Sequence, residues 1–461
     1  MAGFVSEDTR EALGTFAIGK TTLKLLGLDS WQRGLRFIAA RMPLMARWGD
    51  GRSLPISEAV IMRRGGDSRP SWKRLLGSPI QMFKRLGGRL ILVDDNLEDS
   101  GRKTRVTIIG AGPAGLSLGR LLQKRGIGVL ILDKGASAGA SWNNMPTHLR
   151  LLSPWRQVRL PDTPEAIAPT EAFVSAERYA RYLRDYARHH GLSIVEQAEV
   201  SQVERAPDGS MIVRTRDGGQ FRAAAVVNAT GYFSKPFIPY FPGAASIAIL
   251  QLHFSQYKDP QQIERLLGGS AKKALVVGKR LSAGQMMVEL EEAGFFVELS
   301  ARDQLQFLPG SPWFEWLERI LPVFEWMLLR LGLGRRIKSE VPMEGGRARR
   351  LIESGRVPIR GDIERFDGQE VVFKDGRREA FDLILYATGF QPALDHLGPS
   401  ILRDPANGLP RLRGFESGDV PGLFFLGLSG LRNWRSRFLR GIREDAEVLA
   451  KDISRFLAKH R

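Results

Sequence analysis

The chain contains no cysteine, only six histidines and no long uncharged apolar run. Without cysteine there is no structural disulfide, no redox-active Cys-x-x-Cys pair and no thiolate ligand for a metal. The histidines show neither His-x-x-x-His nor His-Glu-x-x-His spacing, so we expect no metal site. No apolar run reaches the roughly 18 residues that a membrane-spanning helix needs. The sequence therefore excludes every mechanism that depends on a resident thiol.

Charge of one sign is in excess, since 68 Lys and Arg face 50 Asp and Glu in 461 residues, for a net charge of +18. Such a charge attracts anionic surfaces and anionic small molecules. No long Lys/Arg block stands out, so we favour an arginine-rich composition as the explanation and expect no nucleic-acid partner. The chain also lacks the start pattern of a secreted protein. We therefore expect a cytoplasmic location.

The most informative segment is Val106–Leu116, where a β-branched apolar run leads into three glycines at Gly-x-Gly-x-x-Gly spacing. Gly110 permits a tight turn, Gly112 lets the backbone approach a pyrophosphate, and Gly115 lets helix and strand pack closely. A second apolar run ends at Asp133, where an acid can accept a hydrogen bond from a ribose 2′-hydroxyl. The segment predicts a dinucleotide-binding strand, turn and helix.

A degenerate repeat of this pattern begins at Gly278 and continues through Ser282 into a further helix. Each copy is followed by a hairpin-rich stretch and then by a strand that ends in Ala-Thr-Gly, at Gly231 and at Gly389. Gly110 precedes Gly231 by 121 residues, and Gly278 precedes Gly389 by 111 residues. Matched order at matched spacing predicts two related dinucleotide-binding domains.

Two amphipathic stretches lie outside the repeat. In Trp31–Met45 the large apolar residues fall at helical spacing, which predicts a helical extension at residues 1–103. Trp313–Arg336 carries a second apolar stripe with charged neighbours. Either stripe could lie in a membrane interface or pack against the protein's own core or a partner subunit. Peripheral membrane contact is therefore one of two open expectations, and the oligomeric state is not predicted.

Over residues 104–461 the chain resembles the flavin-containing monooxygenase superfamily. Gly139-Ala140-Ser141-Trp142 is similar to the Gly-Gly-x-Trp that members of this family carry near the flavin. His253 and Tyr257 match the second half of a family fingerprint whose first half is absent. The segment from Pro421 to Gly427 and the helix start near Asp445 are similar to the closing element of the family.

The resemblance implies an α/β fold with two Rossmann-like dinucleotide-binding domains. The boundaries we expect are a helical N-terminal extension of unknown role at 1–103, an FAD-binding domain at 104–245 and 346–461, and an NAD(P)H-binding domain at 246–345 that contains an amphipathic insertion at 311–336. It also implies FAD and NADPH as cofactors and O2 and a small organic molecule as substrates. Oxygen would be transferred to nitrogen, to sulfur or into a ketone (Baeyer–Villiger type) through a C4a-hydroperoxyflavin.

The motifs and the resemblance together give a set of expected cofactor-binding residues. Within this set, Arg302 corresponds to the basic residue that the family places on the 2′-phosphate of NADPH. No side chain is assigned as catalytic, because the cofactor performs the chemistry. The set is Gly110, Gly112, Ala114, Gly115, Asp133, Lys134, Ser141, Trp142, Thr230, Gly231, Gly278, Ser282, Arg302, Gly389, Gly427 and Asp445.

Two departures from the family pattern keep alternatives open. Arg280 replaces the middle glycine of the second fingerprint, where a side chain would crowd a pyrophosphate. The arginine could bind phosphate itself, or the domain could have lost nicotinamide binding. The asparagine that some members offer to the flavin is absent from Leu151–Trp155. The alternatives are an FAD-dependent oxidase or dehydrogenase that does not use NADPH, and a basic flavoprotein at a membrane surface.

Overall fold

A computed structural model gives the fold. It describes residues 104–269, 272–308, 341–399, 401–404 and 408–460 in full, and before residue 104 it describes only the backbones of seven strands. The predicted amphipathic insertion at 311–336 and the stripe from Trp31 to Met42 lie outside the described residues. Their helical and interfacial character therefore stays a prediction. Among the helices that the structure describes, none has both the length and the apolarity needed to cross a bilayer.

The described segments before residue 104 are strands, whereas the sequence led us to expect helices. One reason is visible between the first two strands, which only Gly19 and Lys20 separate. Two-residue links that contain glycine are typical of β-hairpins. The strands form a four-stranded antiparallel sheet of Leu13–Ile18, Thr21–Leu26, Leu44–Trp48 and Ser53–Ile56, and a three-stranded sheet of Val60–Ile61, Arg89–Leu92 and Phe83–Leu86.

Residues 104–460 form alternating strands and helices. In chain order the strands are β1 (Thr104–Ile109), β2 (Gly128–Leu132), β3 (Ile194–Val195), β4 (Val200–Arg205), β5 (Met211–Thr215), β6 (Gln220–Ala223), β7 (Ala225–Asn228), β8 (Lys235–Pro236), β9 (Leu250–His253), β10 (Lys273–Val277), β11 (Phe296–Ser300), β12 (Ile359–Arg360), β13 (Ile363–Asp367), β14 (Glu370–Phe373), β15 (Arg378–Ala380), β16 (Leu383–Tyr386), β17 (Phe390–Gln391), β18 (Leu412–Arg413), β19 (Glu416–Ser417) and β20 (Leu423–Phe425).

The helices follow these strands at the positions expected for Rossmann-like units. The α-helices are α1 (Pro113–Lys124), α2 (Ala140–Asn143), α3 (Trp155–Val158), α4 (Ala176–His189), α5 (Pro260–Leu267), α6 (Leu281–Glu292), α7 (Arg347–Glu353) and α8 (Leu439–Lys459). Short 3₁₀ helices occur at Glu165–Ile167, Ala244–Ser246, Phe254–Gln256 and Asp395–Leu397.

The first sheet has the order β3-β2-β1-β7-β20-β19-β18. Its first five strands are parallel, and the last two form an antiparallel edge. Every residue of β7 is buried, as expected for a central strand of a parallel sheet with both faces covered. Helix α1 packs against the C-terminal helix α8, and their apolar residues join one core with the sheet. The glycine turn after β1 therefore lies at the carboxyl edge of this sheet.

The second sheet has the order β9-β16-β10-β11-β12, and all its strands are parallel. We call the residues built around the first sheet the first unit and those built around the second sheet the second unit. Strand β16 lies between β9 and β10, and Tyr386 at its end pairs with His253 of β9 and with Val277 of β10. Because the pairing of β16 joins residues more than 100 positions apart in the chain, no local pattern could indicate it. After residue 346 the chain thus adds β12 and β16 to this second sheet, while β13, β14 and β15 form a separate three-stranded sheet. The boundary expected at 346 stays a prediction.

The two Ala-Thr-Gly segments continue into a short antiparallel ribbon. Strand β8 follows the first segment, β17 follows the second, and Lys235 pairs with Gln391. The backbone N–H of Phe237 also donates to the Gly389 carbonyl oxygen at 3.0 Å. The chain thus passes between the two sheets at a single place, where both Ala-Thr-Gly segments lie side by side.

A half-buried histidine near this crossing makes the stability of the fold sensitive to pH. The Nε2 atom of His396 lies 2.9 Å from the Oδ1 atom of Asn228, and burial lowers the pKa of His396 to about 4. The unfolded chain takes up this proton near pH 6.5. Unfolding therefore becomes easier as pH falls from about 6.5 to about 4, and stability from this group is complete only above that window.

We expect His396 to contribute about 3 kcal/mol of stability that is lost between pH 6.5 and pH 4. His396→Gln keeps an N–H donor for Asn228 but does not titrate, so its free energy of unfolding should fall less over this range. Urea unfolding of both proteins at several pH values measures the difference. Equal pH dependence in the two proteins would contradict the assignment.

Candidate functional site

Two glycines of the first turn are required by packing. Gly110 has φ +110°, and a Cβ there would lie 2.5 Å from the Ala229 carbonyl oxygen. The N–H of Gly110 donates to the carbonyl oxygen of Leu132 at 2.7 Å, which ties the turn to the neighbouring strand β2. A Cβ on Gly115 would collide with the Gly110 carbonyl oxygen. These contacts confirm the close packing of strand and helix that the glycine spacing predicts.

The middle glycine of this turn has a different role. Gly112 caps α1, and a Cβ placed on it would meet no protein atom within 4 Å. The space beside it is therefore open, and the unbonded N–H groups of the first helical turn lie there. An anion at this position would be favoured by those groups and by the helix dipole. The geometry fits a pyrophosphate that approaches the backbone at Gly112.

Asp133 closes the turn instead of facing only outward. Its Oδ2 accepts a hydrogen bond from the N–H of Ala111 at 2.5 Å, and its Oδ1 accepts one from the N–H of Gly135 at 2.7 Å. The acid thus holds the glycine turn to the end of β2, a contact that sequence spacing did not predict. Each carboxylate oxygen has a second lone pair, so the acid remains able to accept from a ribose hydroxyl. The neighbouring Lys134 is exposed.

Helix α2 is attached to the same turn. The N–H of Gly139 donates to the carbonyl oxygen of Ala111 at 3.0 Å. On α2, Ser141 is exposed and Trp142 is half-buried, with its ring edge-to-face against Tyr179 at 4.8 Å between centroids. The structure therefore brings the predicted Ser141 and Trp142 close to the glycine turn.

The C-terminal strand and the first Ala-Thr-Gly segment complete this region. The N–H of Leu426 donates to the carbonyl oxygen of Asn228 at 3.0 Å. Gly427 then approaches α1, since a Cβ on it would lie 3.6 Å from the Cβ of Ala114. Thr230 follows β7, and its hydroxyl lies 3.4 Å from the Ala393 carbonyl oxygen. The next residue, Gly231, has φ +74° and turns the chain towards the second unit.

Asp445 is buried in α8 with only 1% of its surface exposed. Its Oδ1 lies 3.0 Å from a guanidinium nitrogen of Arg432. Burial raises the pKa of Asp445, and the Arg432 charge opposes that rise. The contact ties the loop after β20 to α8, which is a positioning role. Direct contact of Asp445 with a cofactor stays a prediction.

A pocket of about 540 Å³ lies at the carboxyl edge of the second sheet. It brings together four residues that the sequence predicted, Gly278, Ser282, Arg302 and Gly389. At one end it is lined by the second turn, residues 278–282 after β10, and by Ser300, Ala301 and Arg302 at the end of the adjacent strand β11. At the other end it is lined by aromatic residues that come from both units, namely Tyr232, Phe233, Phe254, Phe390 and Phe438.

Charged residues surround the end of the pocket near the second turn. Lys279 forms an ion pair with Asp303 at 2.5 Å, and Lys374 forms one with Asp362 at 2.7 Å. Both lysines are therefore partly neutralised by acids. Arg302 is exposed and lines the pocket. Three arginines, Arg280, Arg302 and Arg437, also line the pocket.

The aromatic end is held together by ring contacts. The ring of Phe233 lies 5.5 Å from that of Tyr232 and 5.1 Å from that of Phe390, with edge-to-face geometry. The guanidinium of Arg437 lies over the ring of Tyr232 at 4.9 Å. The Nε2 of the buried His253 lies 2.9 Å from the Gly389 carbonyl oxygen, and burial lowers the pKa of His253. A neutral His253 thus donates to Gly389 and holds the second Ala-Thr-Gly segment in place.

Our sequence reasoning did not find the aromatic residues. A signal was present, because each Ala-Thr-Gly is followed at once by an aromatic residue, Tyr232 in one copy and Phe390 in the other. Arg437 and Phe438 had no comparable signal, since they approach the pocket only through the packing of α8.

Comparisons with known proteins agree with this geometry. A family described as pyridine nucleotide-disulphide oxidoreductase matches residues 107–317. A protein of Geobacillus kaustophilus described as an uncharacterized oxidoreductase, CzcO-like, is 32% identical over 364 residues, which cover 76% of this chain and 97% of that protein. The indole-3-pyruvate monooxygenase YUCCA1 of Oryza sativa subsp. japonica is 29% identical over 381 residues, which cover 75% of this chain and 90% of that protein.

Solved structures share the fold. A flavin-containing monooxygenase from Stenotrophomonas maltophilia superposes with a TM-score of 0.64 at 24% identity, covering 77% of this chain and 98% of that one. A complex of OTEMO with FAD and NADP superposes with a TM-score of 0.58 at 16% identity, covering 78% of this chain and 87% of that one.

FAD and NADPH are the cofactors that these findings support, and the two turns fit two dinucleotides. In the first turn the space beside Gly112 is open to a pyrophosphate. In the second, a Cβ on Gly278 would lie 2.7 Å from the Ala387 carbonyl oxygen, so this turn is packed as tightly as the first. Arg280 is the one large side chain at a fingerprint position of this turn, and it lines the pocket.

Substitutions should distinguish Gly112, which faces open space, from Gly115, which packs against the backbone. Gly112→Val places a side chain in open space, so we expect a folded protein that has lost its FAD. Gly115→Ala instead forces an overlap with backbone and should destabilise the fold by about 3 kcal/mol. The ratio of absorbance at 450 and 280 nm measures FAD content, and urea unfolding measures stability. A Gly112→Val protein with a full complement of FAD would contradict the assignment of this turn.

Proposed function

The chain belongs to the flavin-containing monooxygenase superfamily, and we propose that it is an FAD-dependent monooxygenase that uses NADPH and O2 to oxygenate a small organic substrate. The observation that carries this proposal is the composition of the pocket in the second unit. Its lining includes Gly278 and Ser282 from the second turn together with Tyr232 and Phe438 from the first unit. A dinucleotide bound at Gly278 therefore lies in a pocket whose wall is partly built by the flavin-binding unit.

When bound, NADPH supplies the hydride that reduces FAD, and reduced FAD supplies the reaction with O2. The protein must position the two cofactors and exclude water, because water access favours release of H2O2 in place of oxygen transfer. The edge-to-face contacts of Phe233 with Tyr232 and Phe390 form an apolar wall suited to this task. No described side chain has to act as a nucleophile in this scheme.

The same wall bears on the substrate. The aromatic rings favour an apolar or aromatic group, and Arg437 adds a fixed positive charge over Tyr232. The relative from Oryza sativa is an indole-3-pyruvate monooxygenase, and indole-3-pyruvate has both an aromatic ring and a carboxylate. We therefore propose an aromatic or apolar substrate, with a 2-oxo acid as the first class to test. Amines, thioethers and ketones are the further classes, for N-, S- or Baeyer–Villiger oxygenation.

The proposal is tested by mixing the oxidised holoprotein with NADPH under anaerobic conditions and then with oxygenated substrate. We expect NADPH to bleach the flavin absorbance, and a true substrate to take up one atom from ¹⁸O2 while it lowers H2O2 release. Bleaching by an organic substrate but not by NADPH would instead favour an oxidase or dehydrogenase.

Phe233→Ala should open the apolar wall and raise the share of NADPH oxidation that ends in H2O2 several-fold, with the FAD content unchanged. Phe296→Ala is the matched control, because Phe296 is 76% exposed at the start of β11 and does not line the pocket. The measurement is H2O2 formed per NADPH consumed, with substrate present. An equal yield of H2O2 per NADPH in Phe233→Ala and in the wild type would show that this wall does not exclude water.

A further inference from the structure

The second turn carries an arginine where the first turn carries an open glycine. Arg280 caps α6 as Gly112 caps α1. Its φ is −119°, an ordinary extended conformation, so the backbone accepts a side chain there without strain. A Cβ on the equivalent Gly112 would meet nothing within 4 Å beyond its own turn. At the same position of the second turn, the side chain of Arg280 lines the pocket.

The rest of the second turn keeps the features of a dinucleotide turn. The N–H of Gly278 donates to the Ser300 carbonyl oxygen at 3.0 Å, as the N–H of Gly110 does to Leu132 at 2.7 Å. Ala283 stands at the third fingerprint position and is fully buried. The positions that packing requires to be small are therefore still small, and the one large change is at the position that faces the ligand.

Arg280 and Arg302 lie at the same edge of the second sheet. They follow β10 and β11, which are adjacent and parallel and end in the pair Val277↔Ser300. Both arginines line the pocket, and Arg280 is half-buried. NADPH carries two separate phosphate groups, a pyrophosphate bridge and a 2′-phosphate. Two arginines at one sheet edge match two phosphate groups of one ligand.

We propose that the guanidinium of Arg280 binds the pyrophosphate of NADPH and replaces the backbone contact that a glycine allows in the first turn. Arg302 is then left for the 2′-phosphate. A guanidinium can bind two phosphate oxygens at once, and its charge is permanent at any working pH. Cofactor binding at the second turn should therefore depend more on salt than binding by backbone N–H groups would. The inference rests on the proposed use of NADPH.

Ligand fragments separate the two arginines. ADP-ribose has the pyrophosphate but no 2′-phosphate, whereas 2′-AMP has the 2′-phosphate but no pyrophosphate. We expect Arg280→Gly to weaken the binding of ADP-ribose and NADP⁺ about tenfold or more, since a charge-assisted contact is lost. The affinity for 2′-AMP should not change. We expect Arg302→Gln to weaken the binding of 2′-AMP and NADP⁺ and to leave the affinity for ADP-ribose unchanged.

The experiment is calorimetric titration of the oxidised, FAD-loaded protein with NADP⁺, ADP-ribose and 2′-AMP at two salt concentrations. Arg280→Lys keeps the charge and should retain part of the affinity. FAD content and melting temperature are measured for each variant, and Arg280→Ala serves as a second test should Arg280→Gly lose its FAD. Affinity for ADP-ribose that is unchanged or higher in Arg280→Gly would overturn the proposal, because the arginine would then be neutral or obstructive.

The outcomes also separate this inference from the proposed function. If the wild type binds NADP⁺ through Arg280 but oxygenates no substrate, the assignment of Arg280 stands and the monooxygenase proposal fails. If NADP⁺ and ADP-ribose do not bind the wild type at all, the assignment of Arg280 fails, while FAD-dependent oxidation of a substrate can still be observed.

Discussion

The close approach of a helix start to a strand end is the constraint on which the rest of this structure depends. In the first unit a Cβ on Gly115 would overlap the Gly110 carbonyl oxygen, and a Cβ on Gly110 would press against Ala229. In the first unit, glycine at both positions allows this packing, and the packing in turn directs the N–H groups of α1 towards one open space. Asp133 then fixes the turn through its bonds to Ala111 and Gly135. The open space that we propose for the FAD pyrophosphate is therefore a consequence of how the strand and helix pack.

The second unit also packs a strand end closely against a helix start, but it presents a different surface to its ligand. Gly278 is held against Ala387 as Gly110 is held against Ala229, so each turn is closed by the Ala-Thr-Gly segment of its own unit. Those segments then run side by side between the sheets and bring Tyr232 and Phe390 to one pocket. One crossing point thus joins the cofactor turns to the aromatic wall. The departure at Arg280 changes the charge of the pocket without changing this packing.

Local patterns in the sequence predicted the parts of the structure that depend on local packing. The apolar run that ends at Asp133 is the strand Gly128–Leu132, and the roles of Gly110 and Gly115 in packing were confirmed. The bonds of Asp133 to backbone N–H groups were missed, because spacing shows where an acid lies and not which donors surround it. The pairing of β16 with β9 and β10 was also missed, because it joins strands that are distant in the chain.

We propose that each turn holds one dinucleotide and that the two ligands meet at the crossing between the sheets. A crystal structure of the protein with FAD and NADP⁺ is the decisive experiment. We expect density for the FAD pyrophosphate against Gly112 and for NADP⁺ in the pocket lined by Gly278 and Arg302. FAD bound at Gly278, or NADP⁺ bound outside that pocket, would contradict it.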